Sequence, residues 1–307
     1  MIEKITFVVI GKNEATNLPR CFRSILKVND NIIFVDSDSD DDSISIAKKF
    51  NIKKIIKVKA NYGTPALSRS VGSKEVETEF IQFLDGDMTI DESWIPLALK
   101  KLEENEDIAA VHGYKKVFTK NEREFFILAD SKDWQPDYMQ GAYLIKTDVY
   151  NKAGGLDSRF PGEEERDLYV RIRSLGFEVW YLHHIMASHY DFKRKNTDIK
   201  HLLFSDRAAI IWIPLVKAVK ARNFKSYLFV YRRLLVPLLL DISTILSVCM
   251  GLVRFILFAI SLQTLELIYV FLIKRRGYFI TWKAGFINIL KAAKLYRRKI
   301  VFSKENF

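Results

Sequence analysis

The chain has 307 residues, 49% hydrophobic and 28% charged, with 13 Gly and 7 Pro, values that exclude collagen-like, disulfide-framework and wholly disordered classes. The net charge of +11 is unevenly spread: residues 1–200 carry 30 basic and 33 acidic side chains, residues 201–307 carry 18 basic and 4 acidic. A basic segment that is also the most apolar part of the chain suits an anionic membrane surface, and no nucleic-acid partner is expected. Cys21 and Cys249 lie far apart without metal-ligand spacing and read as reduced thiols.

In chain order, residues 5–10 (ITFVVI) read as a buried strand, and this run is too short for the apolar region of a signal peptide. The amino-terminal half is therefore expected in the cytosol. Leu18, Cys21, Phe22, Ile25 and Leu26 then recur at helical spacing within residues 13–26. Residues 31–35 predict a second strand, 43–50 a second helix and 54–58 a third strand, an alternation that predicts a parallel α/β sheet. A helix over 66–76 follows, then a strand over 80–84 that ends in Asp85, Gly86 and Asp87. Ligands of open α/β sheets bind at the carboxyl ends of strands, where Asp36 and Asp85 both fall. A helix near 94–104, strands over 109–117 and 142–145, and a loop rich in acids complete this part. The last predicted helix, over 166–175, stops at Gly176.

Residues 234–273 are apolar apart from Asp241, Arg254, Gln263, Glu266 and some Ser and Thr. Two membrane spans of about 20 residues fit there as a hairpin. Arg232 and Arg233 before it, with Lys274, Arg275 and Arg276 after it, would place both ends in the cytosol. Three charges inside the run are costly in hydrocarbon, so helices lying in the membrane plane, or an ordinary helical core, stand as alternatives.

Two carboxylates one residue apart after an apolar strand offer hard oxygen ligands for Mg²⁺ or Mn²⁺ beside a diphosphate, although a short acidic turn is more often only solvated. Five segments in order extend the pattern: residues 7–14 (FVVIGKNE), 34–43 (FVDSDSDDDS), 61–72 (NYGTPALSRSVG), 83–87 (FLDGD) and 154–176 (GGLDSRFPGEEERDLYVRIRSLG). Together they resemble the family 2 inverting glycosyltransferases, over about residues 4–192. The resemblance implies a GT-A fold, an α/β architecture with a central, mostly parallel sheet, as a catalytic domain over residues 1–200. A basic apolar helical region over 201–307 would follow it.

The resemblance also implies roles. Asn13 and Glu14 lie in the first nucleotide-binding turn, Asp36 contacts the uracil or ribose, and Arg69 lies near the diphosphate, with Ser70 where Asn is usual. Asp85 falls near the ribose, and Asp87 on the metal. His189, in the sequence ASHY, matches a family His that touches the metal or diphosphate. Aligning Asp167 and Leu168 with the family's Asp-Leu places Glu165 where the catalytic Asp usually sits. Glu is one methylene longer, so Glu164 and Glu163 remain alternatives as the general base.

Inverting transfer needs a base on the acceptor hydroxyl while the diphosphate leaves from the other face, with a divalent ion and Arg69 neutralising the leaving group. The expected enzyme is a metal-dependent, hexosyltransferase-like protein at the cytoplasmic side of the cell membrane. It would use a nucleotide-diphosphate sugar and a lipid-linked or saccharide acceptor, and contact the membrane surface through residues 201–307. Cell-surface polysaccharide or glycolipid synthesis is the expected setting. A polyprenyl-phosphate monosaccharide transferase is the alternative enzyme, and a non-catalytic nucleotide-sugar-binding scaffold the alternative of another class.

Overall fold

The computed structural model describes residues 2–118, 132–136, 138–190 and 297–307, with isolated positions at 217, 227, 261, 264, 294 and 295. Two compact units divide the chain: one joins Met1–Lys195 with Arg298–Phe307, and the other is Asn196–Arg297. The second unit lies almost wholly outside the described residues, and so does the apolar run expected to form a hairpin over 234–273. Among the described residues no helix is long and apolar enough to cross a membrane.

The first unit begins with β1 (Ile5–Gly11), α1 (Leu18–Leu26), β2 (Ile32–Asp36), α2 (Ser43–Lys49) and β3 (Lys54–Ala60). β1 pairs in parallel with β2 on one side and with β4 (Phe80–Asp85) on the other, and β2 pairs in parallel with β3. Six of the seven β1 residues are buried, as expected for a parallel strand covered on both faces. Phe7 and Val9 join the α1 residues Leu18, Phe22 and Ile25 in the main apolar cluster, where Phe22 meets Phe34 edge-on at 5.6 Å. On the opposite face Val8 lies under α3 (Pro65–Ser73). A Cβ on Gly72 would come within 2.6 Å of Val8 Cγ1 and 2.9 Å of Val35 Cγ2, so only glycine allows α3 to approach this closely.

β5 (Met88–Ile90), α4 (Trp94–Glu103), β6 (Ile108–Phe118), β7 (Tyr143–Lys146), α5 (Thr147–Lys152), α6 (Glu164–Ser174), β8 (Glu178–Tyr190) and β9 (Phe302–Asn306) follow. Among the described residues they complete a nine-stranded sheet in the order β5-β8-β6-β7-β4-β1-β2-β3-β9. The expectation of a mostly parallel sheet is corrected. β7 runs antiparallel to both β4 and β6, β5 is antiparallel to β8, and β9 is antiparallel to β3. The sheet is mixed: β1 to β4 form one parallel part and β6 with β8 a second parallel pair, while β7 between them and β5 and β9 at the edges run antiparallel to their neighbours.

β9 also departs from the helical tail expected for residues 201–307. Its five residues are exposed on both faces, and the strand is held by the β3 backbone, by Lys304 Nζ donating to Glu75 Oε1 at 2.7 Å, and by Phe307 N donating to Ile55 O at 3.0 Å. Just before it, Val301 N donates to Asn61 Oδ1 at 3.1 Å, and Asn61 N donates to Val301 O at 3.1 Å.

Candidate functional site

β1, β2 and β4 end together: Gly11 lies opposite Asp36 and Ile10 opposite Asp85, so both acids reach the same rim of the sheet. Beside them the turn after β1 is stapled to the loop after β2. Asn13, in the left-handed region at φ 57°, donates its N–H to Ser39 Oγ at 2.8 Å, and its Oδ1 accepts from Asp40 N at 2.9 Å. Glu14 N donates to Ser43 Oγ at 3.0 Å, and Glu14 Oε2 accepts from Asn17 Nδ2 at 2.5 Å. These bonds of Asn13 and Glu14 build the rim of the sheet. Asp36 is fully buried: its Oδ1 accepts from Ser39 N at 2.8 Å, whereas its Oδ2 has no partner among the described residues. Ser39 and Ser43 are the residues sequence reading passed over here, since only the folded turn shows that their hydroxyls hold it.

Arg69 comes from α3, whose start is fixed by Pro65 in the first turn and by Thr64 Oγ1 accepting from Leu67 N at 3.0 Å. Thr64 Oγ1 also donates to Ser158 O at 2.9 Å, tying α3 to the loop before α6. The guanidinium is buried and meets three carboxylates. Nη2 donates to Asp85 Oδ1 at 2.6 Å, while Nη1 donates to Glu164 Oε1 at 2.7 Å and to Glu165 Oε1 at 2.9 Å. Arg69, Asp85, Glu164 and Glu165, predicted from separate segments, form one charge cluster.

α6 starts two residues earlier than expected, which puts Glu164 and Glu165 in its first turn, near the positive end of the helix. Glu163, at φ 57°, turns outward, is exposed, and accepts from Arg166 Nε at 2.8 Å. Glu163 thus lies apart from the cluster that holds Glu164 and Glu165. The Glu164 carboxyl is pushed up to about 8 by burial and by the neighbouring Glu165, with Arg69 opposing. Glu165 is also raised, by burial, against the pull of Arg69. One cation serving three carboxylates leaves negative charge in excess, and protonating the most buried of them relieves it. Of the two glutamates, Glu165 is the more accessible, with its side chain 9% exposed against 2% for Glu164.

Gly141, which sequence reading missed, lies against this cluster: a Cβ there would fall 3.2 Å from Arg69 Nη2 and 3.3 Å from Glu165 Oε1. Asp87 and His189 form a second pair. β5 and β8 set them side by side, with Met88 opposite His189 and Tyr190 N donating to Asp87 O at 2.9 Å. His189 Nε2 lies 3.0 Å from Asp87 Oδ2. Burial alone would lower His189, but the hydrogen bond to Asp87 and the charges of Asp87 and Asp85 raise it on balance. Asp87 Oδ1 is buried with no partner among the described residues.

A carboxylate with one unsatisfied oxygen beside an imidazole fits a divalent cation of the Mn²⁺ type, since carboxylate suits Mg²⁺ and Mn²⁺ while imidazole favours the softer of the two. Among the described residues no three metal-binding side chains converge, so such an ion would take its other ligands from water or from a bound phosphate. Cys21 lies behind the rim. Its thiol is pushed up strongly by burial and then by Asp87, Asp85 and Glu14, which leaves it unreactive.

Residues 6–155 match the family model of glycosyl transferase family 2. An uncharacterized glycosyltransferase of Rickettsia conorii is 42% identical over 57 residues, 19% of this chain and 20% of that protein. One from Rickettsia felis is 41% identical over 56 residues, 18% of this chain and 20% of its own length. The matched stretch thus spans about a fifth of these curated relatives. Among solved structures, S. aureus TarS 1–349 in complex with UDP-GlcNAc aligns with a TM-score of 0.58 at 16% identity, covering 72% of this chain and 67% of that one. GalNAc-T7 with UDP, GalNAc and Mn²⁺ aligns with a TM-score of 0.53 at 13% identity, covering 68% and 48%. At these identities the likeness shows the fold, which is GT-A-like.

Proposed function

We propose, on the premise that residues 6–155 are a glycosyl transferase family 2 domain, that the protein is an inverting glycosyltransferase. It moves a sugar from a nucleotide-diphosphate donor to a lipid-linked or glycolipid acceptor at the cytosolic membrane face. The observation that carries this reading is the cluster in which Arg69 joins Asp85, at the end of β4, to Glu164 and Glu165 at the start of α6. The complexes of the solved structures make UDP-sugars the first donors to test.

In this reading Asp36 Oδ2, without a partner among the described residues, faces a donor group of the nucleoside, and Asp85 is held in place by Arg69. Glu165 accepts the acceptor's hydroxyl proton; the hydroxyl oxygen forms the new bond to the anomeric carbon, and the bond to the diphosphate breaks with its electron pair leaving on the diphosphate oxygen. Burial raises Glu165, which strengthens it as a base, and a protonated Glu164 leaves Glu165 as the ionised member of the pair. Asp87 and His189 would hold a divalent ion, whose chemistry is to neutralise charge on the leaving diphosphate.

Three sequence-level expectations belong to this proposal: the cytoplasmic membrane face, the contact of residues 201–307 with the bilayer, and a role in cell-surface polysaccharide or glycolipid synthesis. The basic, apolar composition of that region supports them. The test is transfer of a labelled sugar to extracted membrane lipids, with the anomeric configuration of the product compared with that of the donor. Inversion in wild type, and a rate lowered by about 10² to 10⁴ in Glu165→Gln, are expected. Retention of configuration, or full activity in Glu165→Gln, contradicts the reading.

A further inference from the structure

The cluster around Arg69 leaves a question of charge balance. The guanidinium spends three of its five N–H donors on three carboxylates, and its Nε is buried without a partner among the described residues, but its single positive charge is outnumbered by theirs, so an approaching phosphate meets negative charge there. A second cation stands nearby. β6 is fully buried through Tyr114 and becomes half-buried from Lys115 onward, as the strand leaves the core. Lys115 pairs in register with Ala187 of β8, and Val117 pairs with His189, so Lys115 and His189 project from the same face of the sheet. Strand geometry places their Cα atoms about 8 Å apart.

The Lys115 side chain makes no hydrogen bond or ion pair among the described residues. We infer that Lys115, and not Arg69, is the cation that receives a phosphate oxyanion in this cleft. The inference rests on the glycosyltransferase reading and deepens it. Lys115 acts electrostatically on Asp85, Glu165, Arg69 and Asp87, which places it among both charge clusters. Burial lowers its ammonium, and the attraction of Asp85, Glu165 and Asp87 does not make up the difference. A cation under-compensated by the protein gains from an incoming anion, whereas one already shared by three carboxylates gains little. Arg69 is then a positioning residue that fixes Asp85 and the two glutamates. The phosphate is either the diphosphate of the donor or a phosphate carried by the acceptor.

The experiment titrates UDP, with ADP, GDP, CDP and dTDP alongside, and the parent nucleoside into wild type, Lys115→Met and Lys115→Arg. It also measures KM for a polyprenyl phosphate acceptor and for its dephosphorylated counterpart. Loss of nucleoside diphosphate affinity by about 10- to 100-fold in Lys115→Met is expected, with nucleoside affinity unchanged and Lys115→Arg near wild type. That pattern assigns the donor's diphosphate. Unchanged diphosphate affinity with a raised KM for the phosphorylated acceptor alone assigns the acceptor's phosphate.

Two results overturn the inference: Lys115→Met matching wild type in every arm, or Lys115→Arg losing as much as Lys115→Met. If wild type itself binds no nucleoside diphosphate, the glycosyltransferase reading fails first, a result distinct from either of these.

Discussion

Arg69 Nη1 lies 2.7 Å from Glu164 Oε1, joining α3 to the first turn of α6 across 95 residues of sequence. Both side chains are nearly excluded from water, at 4% and 2% exposure, so neither polar group has solvent to fall back on.

Arg69→Met is therefore expected to destabilise the fold by about 3–5 kcal/mol, because it strands buried carboxylates without their cation. Urea denaturation checks this. A stability equal to wild type would mean that Arg69 serves ligand binding alone.

The pH dependence of stability follows from Glu164. Its carboxyl is raised to about 8 in the folded protein, by burial first and Glu165 second, so folding favours the protonated form. The contribution is fully present below the ordinary carboxylate value of about 4.5 and is lost as pH rises through about 8. Denaturation midpoints measured across that window are expected to fall with rising pH in wild type and to fall less in Glu164→Gln. Equal slopes in the two proteins would contradict the assignment.

Gly72→Ala drives a methyl into Val8 and Val35, at 2.6 and 2.9 Å, and neither valine can swing clear inside a packed sheet. A loss of about 1–3 kcal/mol is expected, with activity falling alongside because α3 carries Arg69. A melting temperature like that of wild type would show that α3 can lift off β1 without cost.

Deleting residues 302–307 removes the whole of β9 and bares the edge of β3. Backbone hydrogen bonds contribute about 1 kcal/mol each, so a loss of a few kcal/mol is expected. Faster amide exchange should be confined at first to β3 and to the Asn61 loop that Val301 holds. Uniform exchange throughout the sheet would argue against a local role.

Much of the fold is legible in the sequence because β1, β2 and β4 are near-continuous apolar runs, broken only by Thr6 and Gln82, as suits a parallel sheet covered on both faces. Asp36 and Asp85 were readable for the same reason, as the acids at which such runs stop. β9 was not legible. FSKEN is exposed on both faces, so neither alternation nor an apolar run marks it, and its Lys is what an edge strand carries to deter further pairing.

The outward turn of Glu163 was hidden as well. Three consecutive glutamates look alike in sequence, and the left-handed backbone at the first is what aims the next two inward. Nothing in the sequence sets Lys115 apart, since only the strand register puts it on the face of His189.

The most direct measurement is nucleoside diphosphate release by the purified protein from a panel of nucleotide sugars with extracted membrane lipids, with and without Mn²⁺, beside Asp87→Ala. The account predicts release that needs both the ion and Asp87, whose Oδ1 is buried without a partner among the described residues and whose Oδ2 faces His189. Release that persists at the wild-type rate in Asp87→Ala, or no release from any donor in the panel, would contradict it.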